Sequence, residues 1–371
     1  MRLLNSFILL IILAFPAYSD QVCTGVSLSH DSLDITISKF RLVLDETLFT
    51  TYAWIRYAGY LENEEMPDTE SVKDVLVHLD SSMTASQRED MVTVYKDYKA
   101  RFDFMFEYIA SVFAVNSTPP PDIRCRLDEM ERYRNGNDST DLWSINRMKE
   151  IESLGPVLSR FHQEQNIGLL YRNCMPYYRE NGERYMQLVA KQIREAILFT
   201  RTPGKELERI KEIRLIPNLL ENANTEMGFE YMGIKYDIKG SSSNPRYHPH
   251  EFTHSLMAPV TRNPEFKQEI IEIVDRVWEQ AKDTPARKSY KDKISYFDEN
   301  VVRVISNMVY YKPDTEVGRE KYNRVRLMEI NNGWLLYDAL EKSISKYRES
   351  DLSFTAYFGT FLKNMQDSLK E

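Results

Sequence analysis

Residues 248–254 read His-Pro-His-Glu-Phe-Thr-His, and no other stretch constrains the fold of this chain as tightly. The chain holds six histidines, and three of them fall inside this window. Pro249 suits the first position of a helix, where its missing N–H costs nothing. On a helix starting there, His250 and His254 project from one face, a turn apart. Two imidazoles so placed can bind one zinc ion at near-tetrahedral angles. Glu251 then lies beside the first histidine, turned toward the open coordination position, where its carboxylate can take a proton from a bound water. An aspartate would be a methylene short of that reach. The same letters would also suit two surface histidines and a solvated charge. Chance produces H-E-x-x-H in only about one chain in a hundred of this composition. Pro249 separates His248 from the helix proper, which argues against a three-histidine site. Pro259 is expected to close the helix.

Two imidazoles leave zinc short of a ligand, because a catalytic site wants three protein ligands and one open position. No histidine follows His254, so the third ligand should be a downstream carboxylate. "KISYFDENVVRVISNMVYY", Lys293 to Tyr311, reads as a helix carrying Glu299, with Arg303 one turn on and suited to orient it. Spacing alone leaves Asp298, Glu265, Glu269 and Glu272 in contention. An exposed Glu299–Arg303 pair of no functional meaning would give the same pattern.

The remainder of the chain sets the class. Its 371 residues can bury a real apolar core, and 23 Tyr with 17 Phe argue against disorder. A net charge of −8 with interspersed signs argues against nucleic acid as a partner. Arg2, the apolar run Leu3 to Ala14 and Pro16-Ala17-Tyr18-Ser19 have the layout of a secretory signal. The expectation is cleavage near Ser19 and export, secreted or periplasmic, with no membrane span left in the mature chain. Cys23, Cys125 and Cys174 show no paired spacing, and no disulfide can be chosen from them.

Leu33, Ile35 and Ile37 alternate as in a strand, after which helical patterns dominate. Tyr95, Tyr98, Phe102, Met105 and Ile109 form one apolar stripe. "NSTPPPD", Asn116 to Asp122, should end that helix as an exposed connection. Tyr185, Leu188, Val189, Ile193, Ala196 and Ile197 mark another helix. His162 reads as a structural histidine. "MGFEYMGIKYDIKG", Met227 to Gly240, reads as a hairpin or a pair of short strands around Gly233.

On these residues the chain resembles the gluzincin-type zinc metallopeptidases, which use HExxH and a downstream Glu. It is more closely similar to an exported bacterial family of unknown function with an H-E-F-x-H helix. "HEFTHSLMAP" and "ENVVRVI" carry the resemblance, together with "NNGWLLYDALEKSISKY", "IRYAGY" and "FHQEQNIGLLYRNCMPYY". It spans most of the mature chain, and its HExxH part is the specific one. The chain departs from the family at Ala258, where Asn is usual, so no role is carried over to that position. The resemblance implies Glu299 as the third ligand.

The resulting expectation is an α+β fold, predominantly α-helical, with a zincin-like catalytic part containing a small sheet and the HExxH helix. Residues 1–19 form the signal peptide, 20–220 a helical N-terminal region and 221–371 the catalytic region. The expected activity is peptide-bond hydrolysis with Zn2+ held by His250, His254 and Glu299 and with Glu251 as general base. The expected partner is a peptide or protein substrate. His248, Tyr296, Tyr310 and Arg303 are the candidates for stabilising the oxyanion. The rival expectations are a zinc-binding exported protein without turnover, and a zinc hydrolase of a non-peptide amide.

Overall fold

Strand β1, Phe40–Leu42, pairs in parallel with β2, Glu212–Pro217, although they lie far apart in the chain. A computed structural model describes residues 39–61, 70–134, 139–222, 225–241 and 248–370. The signal segment, Cys23 and the expected Leu33–Ile37 strand lie outside the described residues. β2 pairs in parallel with β4, Ile234–Lys239, and β4 pairs antiparallel with β3, Glu226–Tyr231. The sheet order is therefore β1-β2-β4-β3, with β3 at one edge. Met232 and Gly233 join β3 to β4 with φ of 55° and 76°. Two successive positive φ values match the twist of a tight hairpin, and Gly233 meets that demand without a Cβ penalty.

Helices make up most of the remainder, so the fold is α+β and predominantly helical. They form two apolar cores on opposite faces of the sheet. Phe40, Leu42, Ile213 and Leu215 face the first core, and Ile216, Met227, Tyr236 and Ile238 face the second. This division follows from the two-residue period of a strand. The helix Ile167–Thr200, about 50 Å long at the usual rise, runs past both cores. Its Tyr171, Cys174 and Tyr178 enter the second core, and its Tyr185, Val189 and Ile193 enter the first. A cut at residue 220 would divide the sheet, because β1 and β2 precede it and β3 and β4 follow it. Among the described residues no helix is long and apolar enough to cross a membrane.

Three local expectations need correcting. The stripe from Tyr95 to Ile109 is not one helix: Ala85–Phe102 and Phe106–Val115 are separated by a short 3-10 turn, with Asp103 at φ 53°. Met105 ends that turn, and Ile109 lies on the second helix. "NSTPPPD" is exposed only around Pro121 and Asp122. Asn116 and Ser117 are buried, and Thr118 and Arg126 donate backbone hydrogen bonds to the carbonyls of Arg124 and Asn116. Pro259 does not close the motif helix, which runs from His248 to Thr261.

Arg209 accounts for that continuation. A proline at 259 cannot donate to the carbonyl four residues earlier, which is that of the buried Ser255. The Arg209 guanidinium donates to this carbonyl and also pairs with Glu230 on β3. The defect in the helix is thus tied to the sheet edge. Arg209→Ala should lower unfolding stability by about 1.5–3 kcal/mol, the usual worth of a hydrogen bond to a charged group. Adding Pro259→Ala, which restores the missing N–H, should recover part of that loss. Denaturant unfolding of the two variants checks this, and a double variant no better than Arg209→Ala would count against the account.

Candidate metal centre

The motif helix, His248–Thr261, presents two faces. Phe252, Leu256, Met257 and Val260 are buried in the first core. His250 and His254 keep 13% and 21% side-chain exposure on the other face, their rings 4.9 Å apart and nearly perpendicular. The side chain of His248 lies outside the described residues.

The helix Lys293–Tyr311, with the bounds expected from its pattern, packs against the motif helix. Asp292 caps its start, the carboxylate accepting from the Ser295 N–H at 2.8 Å. Phe297, Val301, Val304 and Ile305 anchor it in the first core. That anchoring turns Asp298 and Glu299, each only 2% exposed, toward the two histidines.

Glu299 Oε1 is 3.3 Å from His250 Nε2, and Glu299 Oε2 is 3.2 Å from His254 Nε2. One donor atom from each residue falls within 4.8 Å of the others. A tetrahedron with metal–ligand bonds near 2.0 Å has edges of about 3.3 Å, close to the two carboxylate–imidazole separations, and two imidazoles with a carboxylate are donors that zinc accepts. Glu299 Oε1 is buried and makes only ionic contacts, with His250 and with the Arg303 guanidinium. Glu265, Glu269 and Glu272 lie on the 3-10 turn Pro264–Phe266 and the following helix Lys267–Trp278, outside the cluster, with Glu265 and Glu272 exposed and Glu272 accepting from Gln268. Among the described residues, Glu299 is the carboxylate that the fold brings to both imidazoles.

Asp298 does different work. Its Oδ2 is 3.1 Å from His254 Nδ1, which leaves Nε2 turned toward Glu299. Thr261 and Arg262 also donate to Asp298, at 2.5 and 3.2 Å. Burial pulls the His254 imidazole toward neutrality, but the bonds to Asp298 and Glu299 outweigh it and push the group up to about 10. Burial raises Glu299, yet His250, His254 and Arg303 together hold it well below the usual carboxylate range. These residues thus form a set of paired charges in which a metal can replace a proton on the imidazole nitrogen.

Of the other polar groups named from the sequence, Arg303 belongs to the site. Its Nη2 is 2.8 Å from Glu299 Oε1. Tyr296 is fully buried and bonds to the Gly333 carbonyl and the Leu335 N–H, a structural role. Tyr310 is about three turns beyond Glu299 and packs edge-on against Tyr311. His162 bonds to Glu46 and His78 to the Gln165 carbonyl, and neither belongs to the cluster.

Two residues at the site were not singled out from the sequence. Tyr290 follows the short helix Pro285–Ser289 and packs edge-on against Trp334, ring centroids 5.4 Å apart. Burial first, then the Glu299 charge, raises its hydroxyl above the ordinary range, with Glu251 adding to the effect. Gly228 on the edge strand is the other. A Cβ placed there would come 2.8 Å from the Glu251 Cβ, closer than real side chains approach. Gly228 faces Asp237 across the ladder, on the sheet face turned to the motif helix. A glycine inside a strand pattern can mark such a close approach, and it was the one available clue.

No family model matches the chain, and neither a curated protein nor a solved structure is found similar to it. The site therefore stands on its own geometry. Gly228→Ala should cost about 1–3 kcal/mol through overpacking against Glu251. Thermal or denaturant unfolding of this variant checks the contact, and an unchanged midpoint would mean that strand and helix are not in register here.

Proposed function

We propose that this chain is a zinc-dependent peptidase of zincin type, in which His250, His254 and Glu299 hold the metal and Glu251 is the general base. The observation that carries this reading is the meeting of the HExxH imidazoles with a buried carboxylate from a separate helix. The resemblance to the gluzincin-type enzymes supports the same assignment. Zinc held by two imidazoles and a carboxylate supplies a Lewis acid that lowers the pKa of a water toward neutrality and polarises a carbonyl.

The protein groups do the remaining work. Glu251 takes a proton from the attacking water and passes it to the leaving amine. Asp298 fixes the His254 ring, and Arg303 fixes the Glu299 carboxylate. An extended substrate segment adds to the edge strand β3, where Gly228 presents no side chain beside Glu251. Tyr290, whose hydroxyl feels the Glu299 and Glu251 charges, donates a hydrogen bond to the carbonyl oxygen as it gains charge. On the strength of the N-terminal pattern, the mature chain acts outside the cytoplasm on a peptide or protein.

The reading is tested by peptide-library cleavage with and without chelator, alongside metal analysis of variants. Glu251→Gln should keep zinc and the fold but lose roughly a hundredfold to ten-thousandfold in turnover. Glu299→Ala should lose most of the zinc, because two neutral imidazoles make an incomplete site. Tyr290→Phe should keep zinc and lose roughly a hundredfold to a thousandfold in kcat. A Glu251→Gln protein with both zinc and full activity would end the proposed mechanism. Stoichiometric zinc with no cleavage by the wild type would make the protein a metal binder instead.

A further inference from the structure

The Glu299 carboxylate has a cation of its own. Arg303 touches it through one nitrogen at 2.8 Å, and a guanidinium alone at this spot would cancel the negative charge that a metal needs. The other arm of Arg303 is occupied: Nη1 lies 3.3 and 3.2 Å from the two oxygens of Glu329. Glu329 is 2% exposed, on the helix Glu316–Asn331, the element after the one that carries Glu299. The indole of Trp334 closes a third side, with the guanidinium carbon 4.4 Å from the ring centroid. The backbone ties these two groups together, since the Trp334 N–H donates to the Glu329 carbonyl at 3.1 Å. Arg303 is thus held at a fixed place between two buried carboxylates.

We propose that Glu329 is a positioning residue for the metal, acting through Arg303 to keep Glu299 oriented and the group net negative. This rests on the metal reading of the site above. With Glu329 ionised, the Glu299–Arg303–Glu329 group carries one net negative charge; without it the group is neutral. Burial leaves little salt or water to screen that difference. Glu329 also restrains the guanidinium from turning both its arms onto Glu299 and covering the oxygens that face the imidazoles.

The test is zinc affinity of the full mature chain, measured by competition with a chelator, with the melting temperature of the metal-free protein recorded beside it. Glu329→Gln should weaken zinc binding by roughly tenfold to a hundredfold. Glu329→Asp, which keeps the charge, should stay within a few fold of wild type. Adding Arg303→Met to Glu329→Gln removes the uncompensated cation and should recover affinity toward the wild-type value. A purely structural role for Glu329 predicts no such recovery. Wild-type affinity in Glu329→Gln, or a Glu329→Asp protein as weak as Glu329→Gln, overturns this inference while leaving the metal site standing. A wild-type chain that takes up no zinc overturns the metal reading, and this inference with it.

Discussion

Keeping one carboxylate charged where there is almost no water is the constraint on which this site depends. Glu299 is 2% exposed, and a buried charge is costly unless it is paired and hydrogen-bonded. Two imidazoles and one guanidinium meet that requirement, and each of these is itself held. Asp298 holds His254; Glu329 and the Trp334 face hold Arg303. Removing any one leaves an unbalanced charge in a low-dielectric setting, so the set behaves as a unit. Such a set is poorly suited to general stability, since burying ion pairs returns little net energy. It is well suited to presenting three donor atoms in a fixed arrangement.

The rest of the fold supplies the stiffness this requires. The motif helix packs on the helix carrying Glu299, on the long helix Ile167–Thr200 and on the edge strand β3. Its apolar face is sealed in the first core, so the imidazole face cannot rotate away without exposing Phe252 and Leu256. Arg209 bridges the carbonyl left over by Pro259 to Glu230 on β3, which links helix and strand at a second point. Gly228 then allows the strand to approach Glu251 more closely than any side chain would permit. The sheet itself is steadied by β1 and by the buried Lys239–Glu226 pair, 2.8 Å apart.

Features encoded over a few residues were legible without the structure. The i, i+4 spacing of His250 and His254, the span of the Lys293–Tyr311 helix and the hairpin at Gly233 all express local periodicity or local φ demands. The apolar stripe through Tyr95 and Ile109 was legible as helical but not as broken, because the break sits in one residue, Asp103, and nothing in the local pattern marks its positive φ. Pro259 misled for a related reason: a proline stops a helix only if nothing else satisfies the freed carbonyl, and Arg209 comes from fifty residues upstream.

Alone, the amino-acid order determined the two imidazoles, the Glu251 carboxylate beside them and a short list of further carboxylates, because a helix of known phase places neighbouring side chains within a turn of one another. It left Glu299 and Asp298 in competition, since adjacent residues on a helix point about 100° apart and only the packing of one helix on another says which direction faces the site. Folding gave Glu299 to the imidazole Nε2 atoms and Asp298 to His254 Nδ1. Gly228, Tyr290, Trp334 and Glu329 entered the same way. They come from a strand, a helix and two connecting loops, and their distance to the centre is the sum of many long-range contacts that no local pattern records.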